Sequence, residues 1–102
     1  MKYSLSIHPE AAREFYESIE RYSLQTVEVS LQFEEAVLLL LHQIAEAPEY
    51  NSLLNGKFRQ AHLPVFPFVI VYKIDDMRKV IFVSSIFHTS RNPGKKFRKQ
   101  KK

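Results

Sequence analysis

The chain contains no cysteine and no tryptophan, and only two glycines among its 102 residues. Without cysteine there is no disulfide framework, no thiolate metal site and no cysteine nucleophile. Gly56 and Gly94 stand far apart, which excludes a glycine-rich phosphate loop. Long apolar runs are missing too. The longest, residues 36–41, has six residues, whereas a helix that spans a bilayer needs about 20. The first eight residues lack the apolar core of a secretory leader, so a cytoplasmic protein with no membrane partner is expected. His8, His42, His62 and His88 are not spaced as metal ligands, so neither a metal nor a cofactor is expected.

What is present reads as one folded domain. Hydrophobic residues make up 45% and charged residues 25%, values that argue against disorder of the whole chain. The net charge of +4 is unevenly placed. Residues 1–89 hold eight Lys or Arg against all eleven Asp and Glu, whereas residues 90–102 hold seven cations and no acid. Residues 1–93 are therefore read as the domain and residues 94–102 as a basic tail. Such a tail suits either a polyanion or an acidic protein segment, or is simply a solvated terminus.

Tyr3, Leu5 and Ile7 alternate with polar residues, the period of a short strand with one buried face. His8-Pro9-Glu10 then opens a helix over residues 9–23. Proline at the first helical position loses no hydrogen bond, and Glu10 suits the positive end of the helix dipole. Ala12, Phe15, Ile19 and Tyr22 form its apolar stripe, while Glu10, Glu14, Glu17 and Glu20 read as a solvated face. A second helix is expected over residues 27–47 with Thr26 as its N-cap. Phe33, Val37, Leu40 and Ile44 make one stripe of it, and Leu31, Leu38, Leu41 and Ala45 another. A helix this apolar must be covered on more than one side, so Leu38 and Leu41 are candidate partner contacts.

Pro48 ends the helix and residues 51–56 read as a loop. Strand-like segments follow at residues 57–63, 66–74 and 79–88, the last two joined by the polar turn Asp75-Asp76-Met77-Arg78. The order β-α-α-β-β-β is α+β, with a helical hairpin packed on one face of a small, mainly antiparallel sheet.

Chemistry concentrates near the last strand. Ile86-Phe87-His88-Thr89-Ser90-Arg91-Asn92-Pro93 ends an apolar strand in a histidine, two hydroxyls and an arginine. His88 suits proton transfer near neutral pH and Arg91 suits a phosphate clamp. The same side chains would equally serve to satisfy backbone carbonyls or carboxylates. Lys57 and Arg59 lie two apart on one expected strand and so share a face, which Lys73 would join to make a basic floor. Ordinary solvent-exposed cations would give that pattern as well. Neither a nucleophile elbow nor a paired-carboxylate site is present in the sequence.

The element order, together with three strings of residues, resembles the RelE/ParE superfamily of toxins from type II toxin–antitoxin modules. The strings are Ile7-His8-Pro9-Glu10-Ala11, Phe66-Pro67-Phe68-Val69-Ile70-Val71-Tyr72-Lys73-Ile74 and Ile86-Phe87-His88-Thr89-Ser90-Arg91-Asn92-Pro93. The resemblance covers nearly all of residues 2–93. It implies a plasmid-stabilisation-type toxin that arrests growth unless a cognate antitoxin covers it. The assembly it implies is a homodimer or a toxin–antitoxin hetero-oligomer. RelE-like members cut messenger RNA on the ribosome, and ParE-like members poison DNA gyrase without evident catalysis. The RelE-like alternative would use Lys57, Arg59, His88 and Arg91, with His88 and Arg91 as the catalytic pair. No tyrosine follows Tyr72, so a stacking tyrosine near the C-terminus is missing. That absence and the long helical hairpin favour the ParE-like branch, in which Lys57, Arg59, Lys73, Arg91, Lys95 and Lys96 would contact the target. A further alternative is an inactive member that only binds antitoxin or nucleic acid.

Overall fold

A computed structural model of the chain describes residues 2–90. Arg91, Lys95, Lys96 and the 94–102 tail lie outside the described residues. Strand β1 (Ser4–Ile7) leads into helix α1 (Pro9–Ser23) and helix α2 (Val27–Glu46). After a 3-10 turn at Pro48–Tyr50 come β2 (Leu53–Asn55), β3 (Phe58–His62), β4 (Phe68–Asp75) and β5 (Val80–His88). The sheet order is β1-β5-β4-β3-β2, with β1 parallel to β5 and the other pairs antiparallel. Both helices pack on one face of this sheet, as the sequence pattern predicts. The addition is β2, a three-residue strand in what the sequence presents as a loop. It is too short to show a period. It forms because Gly56, at φ 54°, and Lys57 turn the chain back in two residues, the glycine-first hairpin geometry.

The helix boundaries follow local chemistry. Thr26 Oγ1 accepts the Val29 N–H at 3.0 Å, capping α2 as expected. His8 caps α1 through its ring, with Nδ1 accepting the Glu10 N–H at 3.0 Å. Phe33, Val37 and Ile44 of α2 are fully buried, and the Phe33 ring packs tilted against Phe68 of β4 with centroids 4.7 Å apart. Each such side chain stabilises the fold by about 1.5–3 kcal/mol. Leu41 also belongs to this core at 7% exposure, whereas Leu38 is 52% exposed. The expected pair of partner contacts is therefore split. Leu41 points inward, and its surface is spent on the core.

Helix α1 departs from expectation. Its most buried residues are Ala11, Glu14 and Ser18, with Phe15, Ile19 and Tyr22 flanking them. Glu14 does not share the solvated face of Glu17 and Glu20. Its Oε1 accepts both the Ser85 hydroxyl and the Ile86 N–H, each at 3.0 Å. The reason lies in β5. Val71 pairs with Ser85 and Tyr72 with Val83, so Ser84 is an extra residue in the strand. This bulge interrupts the ladder, and the buried carboxylate on α1 takes up the displaced donor. The bulge also shifts the alternation. Ile81 and Val83 face the helices before it, and Ile86, opposite Ile70, faces them after it.

A second network fixes the chain after α2. The buried Tyr72 hydroxyl donates to the Pro48 carbonyl at 2.7 Å and accepts the Asn51 amide at 3.1 Å. Burial raises the Tyr72 pKa above 10.0, against the lowering effects of the Asn51 hydrogen bond and the Arg59 charge. Just past the C-terminal end of β4, Tyr3 donates to Asp76 at 2.6 Å, tying the N-terminal strand to the β4–β5 turn.

Candidate functional site

The residues singled out from the sequence fall on two different surfaces. On the sheet face away from the helices, Lys73 of β4 is flanked by its ladder neighbours Phe58 of β3 and Phe82 of β5. Its Nζ lies 6.0 Å from the Phe58 ring centroid and 5.8 Å from that of Phe82. Alternation along the strands puts all three side chains on one face, and the rings hold the ammonium by cation–π attraction. Lys57 and Arg78 join Lys73 and Phe82 around an open hollow of about 470 Å³. Asp75 and Asp76 line it too, and Asp75 caps the turn by accepting the Arg78 N–H at 3.1 Å. Beside this platform the outer face is apolar, with Val69, Val71 and Phe87 buried against Leu54 and Phe58. The sequence pattern gave no sign of that second cluster, because its members alternate with core residues on the same strands.

Arg59 does not join the platform. It sits opposite Tyr72, whose side chain belongs to the helix-side core, and its guanidinium donates to the Asn51 carbonyl at 2.6 Å. The expectation that Lys57 and Arg59 share a face fails for a local reason. Lys57 is a turn residue, so the two-residue period does not run through it. Arg59 instead braces the segment that follows α2.

His88 is also elsewhere. It lies opposite Phe68 with ring centroids 5.2 Å apart, on the helix side, because the bulge has shifted the alternation of β5. Its Nδ1 accepts the Ser90 N–H at 2.9 Å. The ring borders a small pocket with Ser18, Arg21, Tyr22, Gln25 and Phe68. Burial raises the Tyr22 pKa above 10.0, keeping its hydroxyl protonated near neutrality. Arg21, Tyr22 and Gln25 were not singled out by the sequence. The signal for them, the last turn of α1 facing the last turn of β5, exists only in three dimensions.

Among the described residues, then, Lys57 and Lys73 come together, and Arg59 and His88 lie apart from them and from each other. Arg59 is level with Tyr72 and His88 with Phe68. Those positions are four residues apart on β4, roughly 13 Å along a strand. No helix among the described residues is long and apolar enough to cross a membrane.

Comparison with known structures gives the same architecture. The chain is similar to one from the chromosomal ParDE toxin–antitoxin system of P. aeruginosa, with 15% identity and a TM-score of 0.73, over 85% of this chain and 96% of that one. It is also similar to the isolated E. coli RelE toxin, with 20% identity and a TM-score of 0.62, over 97% of each chain. A chain of the Mycobacterium tuberculosis RelBE2 toxin–antitoxin complex is a third, with 14% identity and a TM-score of 0.64, over 86% of this chain and 99% of that one. At these identities the likeness is one of fold. No curated protein matches the sequence significantly. The sequence model of the family described as "ParE toxin of type II toxin-antitoxin system, parDE" matches residues 5–93. With its helical hairpin on a five-stranded sheet, the chain belongs to that family of toxins within the RelE/ParE superfamily.

Proposed function

We propose that this toxin acts in the cytoplasm by binding DNA gyrase, and that a cognate antitoxin holds it inactive. The observation that carries this reading is that Lys57, Lys73 and Arg59, the cations a RelE-like site would use, do not gather around His88, whose cationic neighbour among the described residues is Arg21. Cleaving a phosphodiester calls for a proton carrier and cations within hydrogen-bond reach of one reacting centre. Lys57 and Lys73 lie on the outer face, and Arg59 and His88 lie on the helix side. Such a division supports a toxin that works by occupying a surface of its target. Lys73, held between two rings and backed by Lys57 and Arg78, offers that surface, with Arg91, Lys95 and Lys96 as further contacts. On the opposite side, Leu38 and Leu39 of α2 are each more than half exposed and give the antitoxin an apolar anchor.

The test is a supercoiling reaction with purified gyrase and the full-length toxin, read both for relaxed product and for trapped cleaved DNA. Inhibition with accumulation of cleaved complexes, weakened by Lys73→Ala, is expected. Normal supercoiling with no cleaved complex would overturn the proposal. Induction of the chain alone in bacteria separates the alternatives. Early DNA damage with translation intact fits gyrase. Rapid translation arrest with cut messages means a RelE-like ribonuclease, and an absent growth defect means a binding module.

A further inference from the structure

At the end of α1 the fold leaves a pocket of about 180 Å³ lined by Ser18, Arg21, Tyr22, Gln25, Phe68 and His88. None of these residues is an acid. Because His88 Nδ1 already accepts the Ser90 N–H, the neutral imidazole carries its proton on Nε2, and its other nitrogen is a donor. The Arg21 guanidinium enters no ion pair among the described residues. The α1-terminal carbonyls of Arg21 and Tyr22 accept the N–H groups of Leu24, Gln25 and Thr26. The Ser18 hydroxyl donates to the Glu14 carbonyl at 2.8 Å, so its proton is spent within the helix. A guanidinium, an imidazole N–H, an amide and a phenol thus border one space to which the described residues bring no anion. That is the donor set for an oxyanion.

We propose that this pocket is a carboxylate-recognition site that takes one Asp or Glu side chain of a bound protein segment. Its volume decides the size of the guest, since sites for nucleotide-sized ligands run to about 300–1,000 Å³. Its charge decides the type. With His88 Nδ1 an acceptor, the described residues of the lining carry one formal positive charge, which a carboxylate balances. A phosphate, at roughly −1.5 to −2, would leave excess negative charge beside the negative end of the α1 dipole. The Tyr22 and Phe68 rings, with centroids 6.2 Å apart, give the methylenes of an acidic side chain an apolar wall. The site does not depend on which target the toxin has, and its failure would leave the gyrase reading untouched.

The test uses the full-length chain, following the Arg21 and His88 side-chain resonances by NMR. Sodium propionate, a mimic of the glutamate side chain, is titrated against sodium chloride of matched ionic strength and against inorganic phosphate. Saturable shifts with propionate at about 10 mM, absent with chloride, are expected. Arg21→Gln should weaken binding at least tenfold with the rest of the spectrum unchanged, and Arg21→Lys should recover part of it. Shifts no different from those with chloride would overturn the assignment. So would tighter binding of phosphate than of propionate, or full affinity in Arg21→Gln.

Discussion

Glu14→Ala tests whether a buried carboxylate sets the course of the last strand. Glu14 is 6% exposed and its Oε1 accepts the Ser85 hydroxyl and the Ile86 N–H, each at 3.0 Å. A hydrogen bond to a charged group contributes roughly 1.5–3 kcal/mol, and leaving a buried donor unmet costs about 1–3 kcal/mol. Ile86 is 1% exposed, so water cannot replace the lost acceptor without opening the strand. Glu14→Ala should therefore cost about 3 kcal/mol, and Glu14→Gln, which keeps an acceptor but not the charge, about 1 kcal/mol. For a domain of this size 3 kcal/mol lowers Tm by roughly 15 °C. Urea unfolding gives the free energies, and the loss of contact between the His88 and Phe68 rings reports the strand itself. Ser85→Ala and Glu14→Ala should be less than additive, because both remove the Ser85–Glu14 bond. If Glu14→Ala unfolds within about 0.5 kcal/mol of the parent, ordinary surface scatter, the carboxylate does not hold the bulge and the account of His88 placement fails with it.

Tyr72→Phe removes the hydroxyl that joins Pro48 and Asn51, and should cost about 1.5 kcal/mol in the same urea series. Tyr72 also gives a pH signature. Its folded pKa is raised, so its contribution is complete below pH 10.0 and is lost as pH climbs from there through the folded value. Alkaline unfolding followed by circular dichroism should accordingly be less steep in Tyr72→Phe than in the parent. Gly56→Ala should cost about 1–2 kcal/mol from backbone strain alone, since a Cβ there meets nothing within 4 Å. Leu38→Glu should leave Tm unchanged, as Leu38 is half exposed, yet weaken capture of the toxin by its antitoxin at least tenfold in a titration.

Much of the fold is legible in the sequence because two independent signals agree. Pro9 and Thr26 mark helix starts by capping chemistry, and Phe33, Val37 and Ile44 mark the buried side of α2 by their period. Where only one signal exists, legibility ends. An acid at position 14 looks like its neighbours at 17 and 20, and its burial is decided by a bulge in a strand some seventy residues later. That bulge has no sequence mark beyond two serines. Every side-chain direction beyond it is displaced by one, which is why strict alternation puts His88 on the wrong face. The platform around Lys73 was half visible. Lys57 and Lys73 are cations in the expected strands, but the rings of Phe58 and Phe82 become neighbours only through the pairing of β3, β4 and β5.

The sheet thus separates two surfaces, and that separation is itself testable. Lys73 is exposed on the outer face beside Phe58 and Phe82, while Arg21 borders the His88 pocket on the helix side. The two share no partner among the interactions of the described residues, and the core of fully buried side chains including Ile70 and Tyr72 lies between the faces. Substitutions that share no contacts add within about 0.3–0.5 kcal/mol, whereas those within one site couple by more. Lys73→Ala should therefore lower target inhibition and leave propionate binding alone, and Arg21→Gln should do the reverse. In the double variant each loss should equal that of the single one. Coupling above about 0.5 kcal/mol in either readout would mean that a single ligand spans both faces around the sheet edge, and the division of labour argued from the geometry would be wrong.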